Sequence, residues 1–140
     1  MNKLLTITNL GKTYHTKNGE IEALKDITLD VYEGEFLCIV GSSGCGKSTL
    51  MSILAGLDKE SYGIIKWSKK NPTIGYMLQN DTLFPWLSIY KNATLGLDIL
   101  KKKNDKYVDK LLKTYSLYDF KDKKPAELSG GMRQRVPWIL

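Results

Sequence analysis

The pattern of apolar and polar residues divides the chain into a strand-rich first part and a helical second part. Residues 3 to 35 are typical of antiparallel strands, and the apolar run Phe36–Val40 is typical of a buried strand. Leu50, Ile53, Leu54 and Leu57 then follow helical spacing, and strand-like runs return at 64–67 and 73–78. From about residue 88 onwards the pattern is mostly helical, so we predict an α/β protein.

A glycine-rich segment lies between the apolar run and the first predicted helix. Its sequence from Gly41 to Ser48 has two glycines that bracket four residues, followed by Lys and Ser, which is the Walker A pattern of a phosphate-binding loop. In such loops the backbone N–H groups surround the phosphates of a nucleotide. We expect Lys47 to reach the β- and γ-phosphates and the Ser48 hydroxyl to ligate Mg²⁺. The alternative is a glycine-rich turn that binds no ligand.

A second motif, Leu128–Arg135, reads Leu-Ser-Gly-Gly-Met-Arg-Gln-Arg. Ser129 is a good helix N-cap, and the two glycines that follow allow the backbone to approach an anion where a helix begins. This stretch resembles the signature of the ABC ATPase family, and the chain resembles that family up to about Val136. Taken alone, the same residues also fit an ordinary capped helix.

The resemblance implies an α/β P-loop fold of the ABC ATPase type, with an N-terminal antiparallel β part, a strand–P-loop–helix core and a helical signature subdomain. We expect residues 1–140 to form one partial nucleotide-binding domain, with an ATP-binding core over about 1–79 and the signature subdomain over about 80–140. Implied contacts with ATP come from Tyr14, Gly41, Ser42, Ser43, Gly44, Cys45, Gly46, Lys47, Ser48, Thr49, Ser129, Gly130 and Gly131.

Two of the implied roles rest on the family match alone. Tyr14 resembles the aromatic residue that stacks on the adenine ring, although it also fits an exposed strand tyrosine. Gln79 resembles the glutamine that reaches Mg²⁺ and the attacking water, which makes it the expected catalytic residue and, with Ser48, a metal ligand.

Partners are also implied by the resemblance. ABC ATPases pair head to tail, so that each ATP lies between the phosphate loop of one copy and the signature of the other. Residues 83–97 look most like the nitrate, sulfonate and taurine importer branch, in which this region receives a transmembrane subunit. We therefore expect permease subunits, a second nucleotide-binding domain, a solute-binding protein in the same system, and a cytoplasmic location at the inner face of the membrane.

The end of the sequence departs from the family pattern. Family members continue into a strand that carries a Mg²⁺-binding aspartate and a catalytic glutamate, and later a switch histidine, and none of these is present. Pro137 lies where the signature helix would continue and is expected to break it at a cost of about 3 kcal/mol. We expect a truncated chain that cannot hydrolyse ATP alone. A non-catalytic nucleotide-binding or interaction fragment and a non-transport ABC-type ATPase remain the alternatives.

Composition and charge narrow the class of protein. The formal net charge is +6, and residues 101–124 contribute nine lysines against four aspartates. Val108, Leu111, Leu112 and Tyr115 in that segment predict an amphipathic helix, capped by Asn104 or Asp105, with a solvated lysine face. Attraction to anionic lipid is the alternative, whereas nucleic-acid binding is not expected, because no recognition module appears.

The two cysteines favour a reducing compartment and no disulfide. Cys38 is expected on a packed strand and therefore inert, while Cys45 lies in the phosphate loop beside a helix N-terminus. The longest apolar runs are far shorter than the roughly 20 residues that span a bilayer.

Overall fold

The computed structural model describes residues 2–78, 82–102 and 104–139. The chain divides into two compact units, Met1–Tyr76 and Met77–Leu140, which we describe separately.

A three-stranded antiparallel sheet forms the framework of the first unit. Strands β1 (Lys3–Thr16) and β2 (Gly19–Tyr32) form a long hairpin, and β3 (Tyr62–Trp67) pairs with the other edge of β1. The register joins Ile7 to Leu29 on one side and to Ile65 on the other. The antiparallel strands that the sequence predicts at 3–35 and 64–67 are therefore confirmed.

An irregularity in the middle of β1 shifts the phase of its buried residues. Leu5 and Ile7 are buried at alternate positions, but the next buried apolar residue is Leu10, three positions later. The register shifts between Ile7 and Leu10, and Asn9 between them has a φ of 47°. A bulge of this kind changes which face a side chain occupies, so it keeps Leu10 in the core.

The first helix, α1 (Lys47–Leu54), packs on this sheet. Its buried residues Leu50 and Ile53 join an apolar cluster whose other members come from the hairpin: Leu5, Ile7, Leu10 and Leu24. The helix ends in a turn in which Gly56 takes a φ of 74° and the Leu57 N–H donates to the Ser52 carbonyl at 2.9 Å. This Schellman arrangement ends α1 before Leu57, which is exposed rather than on the helix as its spacing predicted.

Two predicted strands are wrong. Within the described residues, Phe36–Val40 and 73–78 have no regular secondary structure, and Phe36 and Val40 are 91% and 92% exposed. A strand exists only through hydrogen bonds to a neighbouring strand, and neither segment belongs to the sheet. Cys38 is consequently exposed, which contradicts its expected place on a packed strand.

In its described residues, the second unit contains three α-helices and short 3₁₀ turns. The α-helices are α2 (Ile89–Ile99), α3 (Asp105–Thr114) and α4 (Gly130–Arg135). On α3, Val108 and Leu112 are buried, and the Asn104 side chain accepts from the Tyr107 N–H at 3.1 Å. The predicted amphipathic helix is confirmed, with Asn104 rather than Asp105 as its cap.

The last α-helix ends just before Pro137, as the helix-breaking effect of proline predicts. The α-helical hydrogen bonding of α4 stops at Arg135, and Val136–Ile139 continues as a 3₁₀ helix that contains Pro137. Val136 and Ile139 are buried with the α2 and α3 residues, so this tighter turn still contributes to the core.

A buried asparagine holds the apolar segment before α2. Asn92 is 3% exposed, its Oδ1 accepts from the Phe84 N–H at 2.8 Å, and its amide donates to the carbonyls of Phe84, Leu87 and Ser88. Leu83 packs against the core of the unit, while Trp86 is 67% exposed. The apolar segment 83–87 therefore combines a packing residue with a solvent-facing aromatic one. None of the helices in the described ranges has the length and apolar character needed to cross a membrane.

Candidate functional site

The glycine-rich loop leads directly into α1, and this helix begins without a side-chain cap. Its N-cap is Gly46, at a φ of 91°, and its first turn carries no acidic residue. Among the four α-helices of the described ranges, α2, α3 and α4 are capped by Ser88, Asn104 and Ser129. Gly46 has no side chain that could accept from the first N–H groups of α1, so these groups are left without the side-chain cap that the other three helices have, as in an anion site.

Close contact with the hairpin holds the loop in place. A Cβ added to Gly46 would collide with the Ala23 carbonyl oxygen and would lie 2.8 Å from Leu24 Cδ2. Glycine at this position is thus required twice, by its positive φ and by the approach of β2. At Gly44, which has a φ of 79°, an added Cβ would meet nothing within 4 Å.

Lys47 folds back over the loop. Its Nζ donates to the carbonyls of Gly41 at 2.8 Å and Ser42 at 2.6 Å, and it lies 3.4 Å from Cys45 Sγ. The ammonium group is therefore held at the loop by uncharged carbonyl acceptors. A phosphate oxygen in their place would form a stronger hydrogen bond, because both of its partners would be charged.

Tyr14, near the end of β1, belongs to a cluster with Lys12 and Asp58. The Tyr14 hydroxyl donates to Asp58 Oδ2 at 2.7 Å, and the Lys12 ammonium donates to Asp58 Oδ1 at 2.7 Å. Lys12 Nζ also donates to the Lys59 carbonyl and lies 4.8 Å from the centroid of the Tyr14 ring. Hydrogen bonds from Lys12, Tyr14 and the Lys59 N–H lower the pKa of Asp58 to about 2.

The strand register brings Tyr14 into the neighbourhood of the loop. Tyr14 pairs with Ile21, and Ile21 lies two residues along β2 from Ala23, the residue against which Gly46 packs. This separation corresponds to about 7 Å along the strand and about 5 Å across the ladder. The first unit therefore places an aromatic side chain on the order of 10 Å from a candidate phosphate site.

The other predicted site residues are distributed as follows. Ser48 and Thr49 lie in the first turn of α1, with Ser48 exposed. Ser129 caps α4, because its Oγ accepts from the Met132 N–H at 3.3 Å, and Gly130 and Gly131 begin that helix. These three residues belong to the second unit, and Gln79 lies outside the described residues. Within the described ranges, no group of three or more His, Cys, Asp or Glu residues could hold a metal ion.

Sequence reasoning missed Lys12 and Asp58. Their ammonium and carboxylate groups meet across 46 residues of sequence, so neither periodicity nor motif spacing joins them. A weak signal was available, since Lys12 and Tyr14 are two positions apart on a strand and therefore share a face.

Comparison with known proteins assigns the chain to a family. The model of a family described as ABC transporter matches residues 24–138. The chain belongs to the ABC transporter family. This confirms the family indicated by the glycine-rich loop and the signature motif, and with it the expected fold class.

The similar ABC transporter proteins include sequences from several bacteria. The uncharacterized ABC transporter ATP-binding protein YtlC of Bacillus subtilis is 42% identical, over 94% of this chain and 54% of its own length. The nitrate import protein NrtD of Synechocystis is 38% identical over 94% of this chain and 53% of its own. The taurine import protein TauB of Roseobacter denitrificans is 39% identical over the same shares. The chain thus spans about half the length of the curated relatives it matches.

Solved ABC transporter structures have the same fold. The dimeric structure of MJ0796, described as a bacterial ABC transporter cassette, superposes with a TM-score of 0.83 at 31% identity, over 97% of this chain and 68% of that one. A second structure of the same cassette, in a post-hydrolysis state with ADP and Pi, gives the same values.

The glycine contacts predict that two loop positions respond differently to alanine. Gly44→Ala should lower the free energy of unfolding by about 1 kcal/mol, through strain at positive φ alone. Gly46→Ala should cost at least about twice as much, because its Cβ also collides with the backbone oxygen of Ala23. Urea denaturation of both variants measures the difference, and equal losses would contradict the close approach of loop and hairpin.

The lowered pKa of Asp58 predicts a pH-dependent contribution to stability. Because its folded pKa, about 2, is below that of the unfolded chain, the contribution is complete above about pH 5 and is lost as the pH falls towards 2. The gap in unfolding free energy between wild type and Asp58→Asn should therefore shrink over this range. Asp26→Asn, at an exposed position, is the charge-matched control. A gap that stays constant with pH would count against the Asp58 interactions.

Proposed function

We propose that this chain binds ATP with Mg²⁺ as part of the nucleotide-binding domain of an ABC transporter. The observation that carries the proposal is the uncapped N-terminus of α1, with the Lys47 ammonium lying over the loop that precedes it. Family membership supports the same assignment.

In the proposed complex, the phosphates occupy the loop. Backbone N–H groups of Gly44, Cys45, Gly46, Lys47, Ser48 and Thr49 donate to phosphate oxygens, and Gly41, Ser42 and Ser43 form the beginning of the loop. Lys47 exchanges the carbonyls of Gly41 and Ser42 for the β- and γ-phosphates. Ser48 and Gln79 would hold Mg²⁺, which would neutralise phosphate charge. Tyr14 stacks on the adenine ring.

The relatives and the solved cassette support a proposal about partners. MJ0796 is described as dimeric, and we propose that a second nucleotide-binding domain contacts the nucleotide through its Ser129, Gly130 and Gly131. NrtD and TauB are named as import proteins for nitrate and taurine. We therefore propose that the chain serves import through a permease at the cytoplasmic face of the membrane, with a solute-binding protein in the same system.

Removal of the Lys47 charge tests nucleotide binding. Lys47→Ala should weaken ATP binding by roughly 10- to 100-fold, because a charge-assisted hydrogen bond is lost, and should abolish protection by ATP against limited proteolysis. Lys70→Ala, in an exposed bend, removes the same charge away from the loop and should leave protection intact. If ATP protected the Lys47→Ala variant as well as it protects the wild type, the proposed phosphate site would be rejected.

We also propose that these 140 residues bind ATP without turning it over, because the sequence holds no counterpart of the aspartate–glutamate strand of ABC ATPases. Purified chain with Mg²⁺ and ATP should release phosphate no faster than Lys47→Ala. Faster release by the wild-type chain would show that another group polarises the attacking water.

A further inference from the structure

We propose that Asp58, together with Lys12, is a positioning residue that sets the Tyr14 ring for stacking against the base of a bound nucleotide. This inference rests on the proposed function and adds to it a determinant of base affinity outside the loop and signature motifs.

The hydroxyl end of the Tyr14 ring is held by an ionised acceptor. Asp58 Oδ2 accepts from the hydroxyl at 2.7 Å, and hydrogen bonds to charged groups are stronger than those between neutral groups. Because the pKa of Asp58 is about 2, the carboxylate is charged at neutral pH. One end of the ring is therefore fixed, while Tyr14 as a whole is 37% exposed.

Lys12 covers one face of the Tyr14 ring. Its ammonium lies 4.8 Å from the ring centroid, within the range of a cation–π contact. The Lys12 side chain is only 13% exposed, and its Nζ is held by Asp58 Oδ1 and the Lys59 carbonyl. One face of the ring is thus occupied by a fixed cation, and we assign the base to the opposite face.

Asp58 reaches this position through the helix that carries the phosphate loop. It follows the turn at the end of α1, where the N–H groups of Leu57 and Asp58 both donate to the Ser52 carbonyl, at 2.9 and 3.3 Å. Just beyond, the Ser61 N–H donates to the Gly11 carbonyl at 2.8 Å, and the Thr13 N–H donates to Ser61 Oγ at 3.0 Å. The segment that begins with the phosphate loop therefore ends against β1, where Asp58 holds the Tyr14 side chain.

A comparison of ATP with inorganic tripolyphosphate separates positioning from general stability, since tripolyphosphate offers phosphates without a base. In the full chain, Asp58→Asn should weaken ATP binding by about tenfold and change tripolyphosphate binding by less than about twofold. Asp26→Asn removes the same charge from an exposed position and should change neither affinity. Equal weakening of both ligands by Asp58→Asn, or no weakening of ATP, would overturn the proposal.

Tyr14→Phe keeps the ring and removes only the hydroxyl, so it tests the same link if Asp58→Asn does not fold. It should reproduce the selective loss of ATP affinity, and the double variant should be no weaker than either single one. Tyr14→Phe with unchanged ATP affinity, or additive losses in the double variant, would overturn the proposal.

The wild-type chain separates this proposal from the proposed function. If it binds ATP no more tightly than tripolyphosphate, the base adds no affinity, and only the positioning role is rejected. Failure to bind either ligand rejects the proposed function as well.

Discussion

The packing of α1 on the three-stranded sheet is the interaction on which the candidate site depends. This helix has only eight residues, and helices of that length are marginal in water unless they bury an apolar face. Leu50 and Ile53 provide that face against the hairpin core. The proposed phosphate-binding loop lies at one end of α1 and Asp58 follows the other end. The buried contact of α1 with the sheet therefore positions both this loop and the carboxylate that accepts from Tyr14.

The loop is supported unequally at its two sides. On the α1 side, Gly46 lies against the Ala23 carbonyl of β2, and α1 itself packs against the core of the hairpin. On the other side, the loop follows Phe36–Val40, an apolar segment without strand pairing whose terminal residues are almost fully exposed. Apolar segments of β-forming residues without a ladder partner are prone to intermolecular pairing, so this segment is the first candidate for self-association of the isolated chain.

Two glycine-rich helix starts in this chain have different local chemistry. The start of α4 is capped by the Ser129 side chain, which accepts from the Met132 N–H. The start of α1 has a glycine N-cap and no such acceptor, and its only charged loop residue, Lys47, is held by backbone carbonyls. An anion at α1 would therefore accept from N–H groups that no N-cap side chain satisfies, which is why we propose the phosphate site at this helix.

Features that depend on neighbours in sequence could be predicted from the sequence alone. The loop before α1, the cap residues Asn104 and Ser129, and the end of α4 before Pro137 all follow from local backbone geometry and short-range hydrogen bonds. The tertiary structure decided the rest. Phe36–Val40 has strand composition but no ladder partner, and Asp58 meets Tyr14 across 44 residues. Strand pairing and contacts between distant residues depend on which surfaces the fold brings together, and no local pattern encodes that choice.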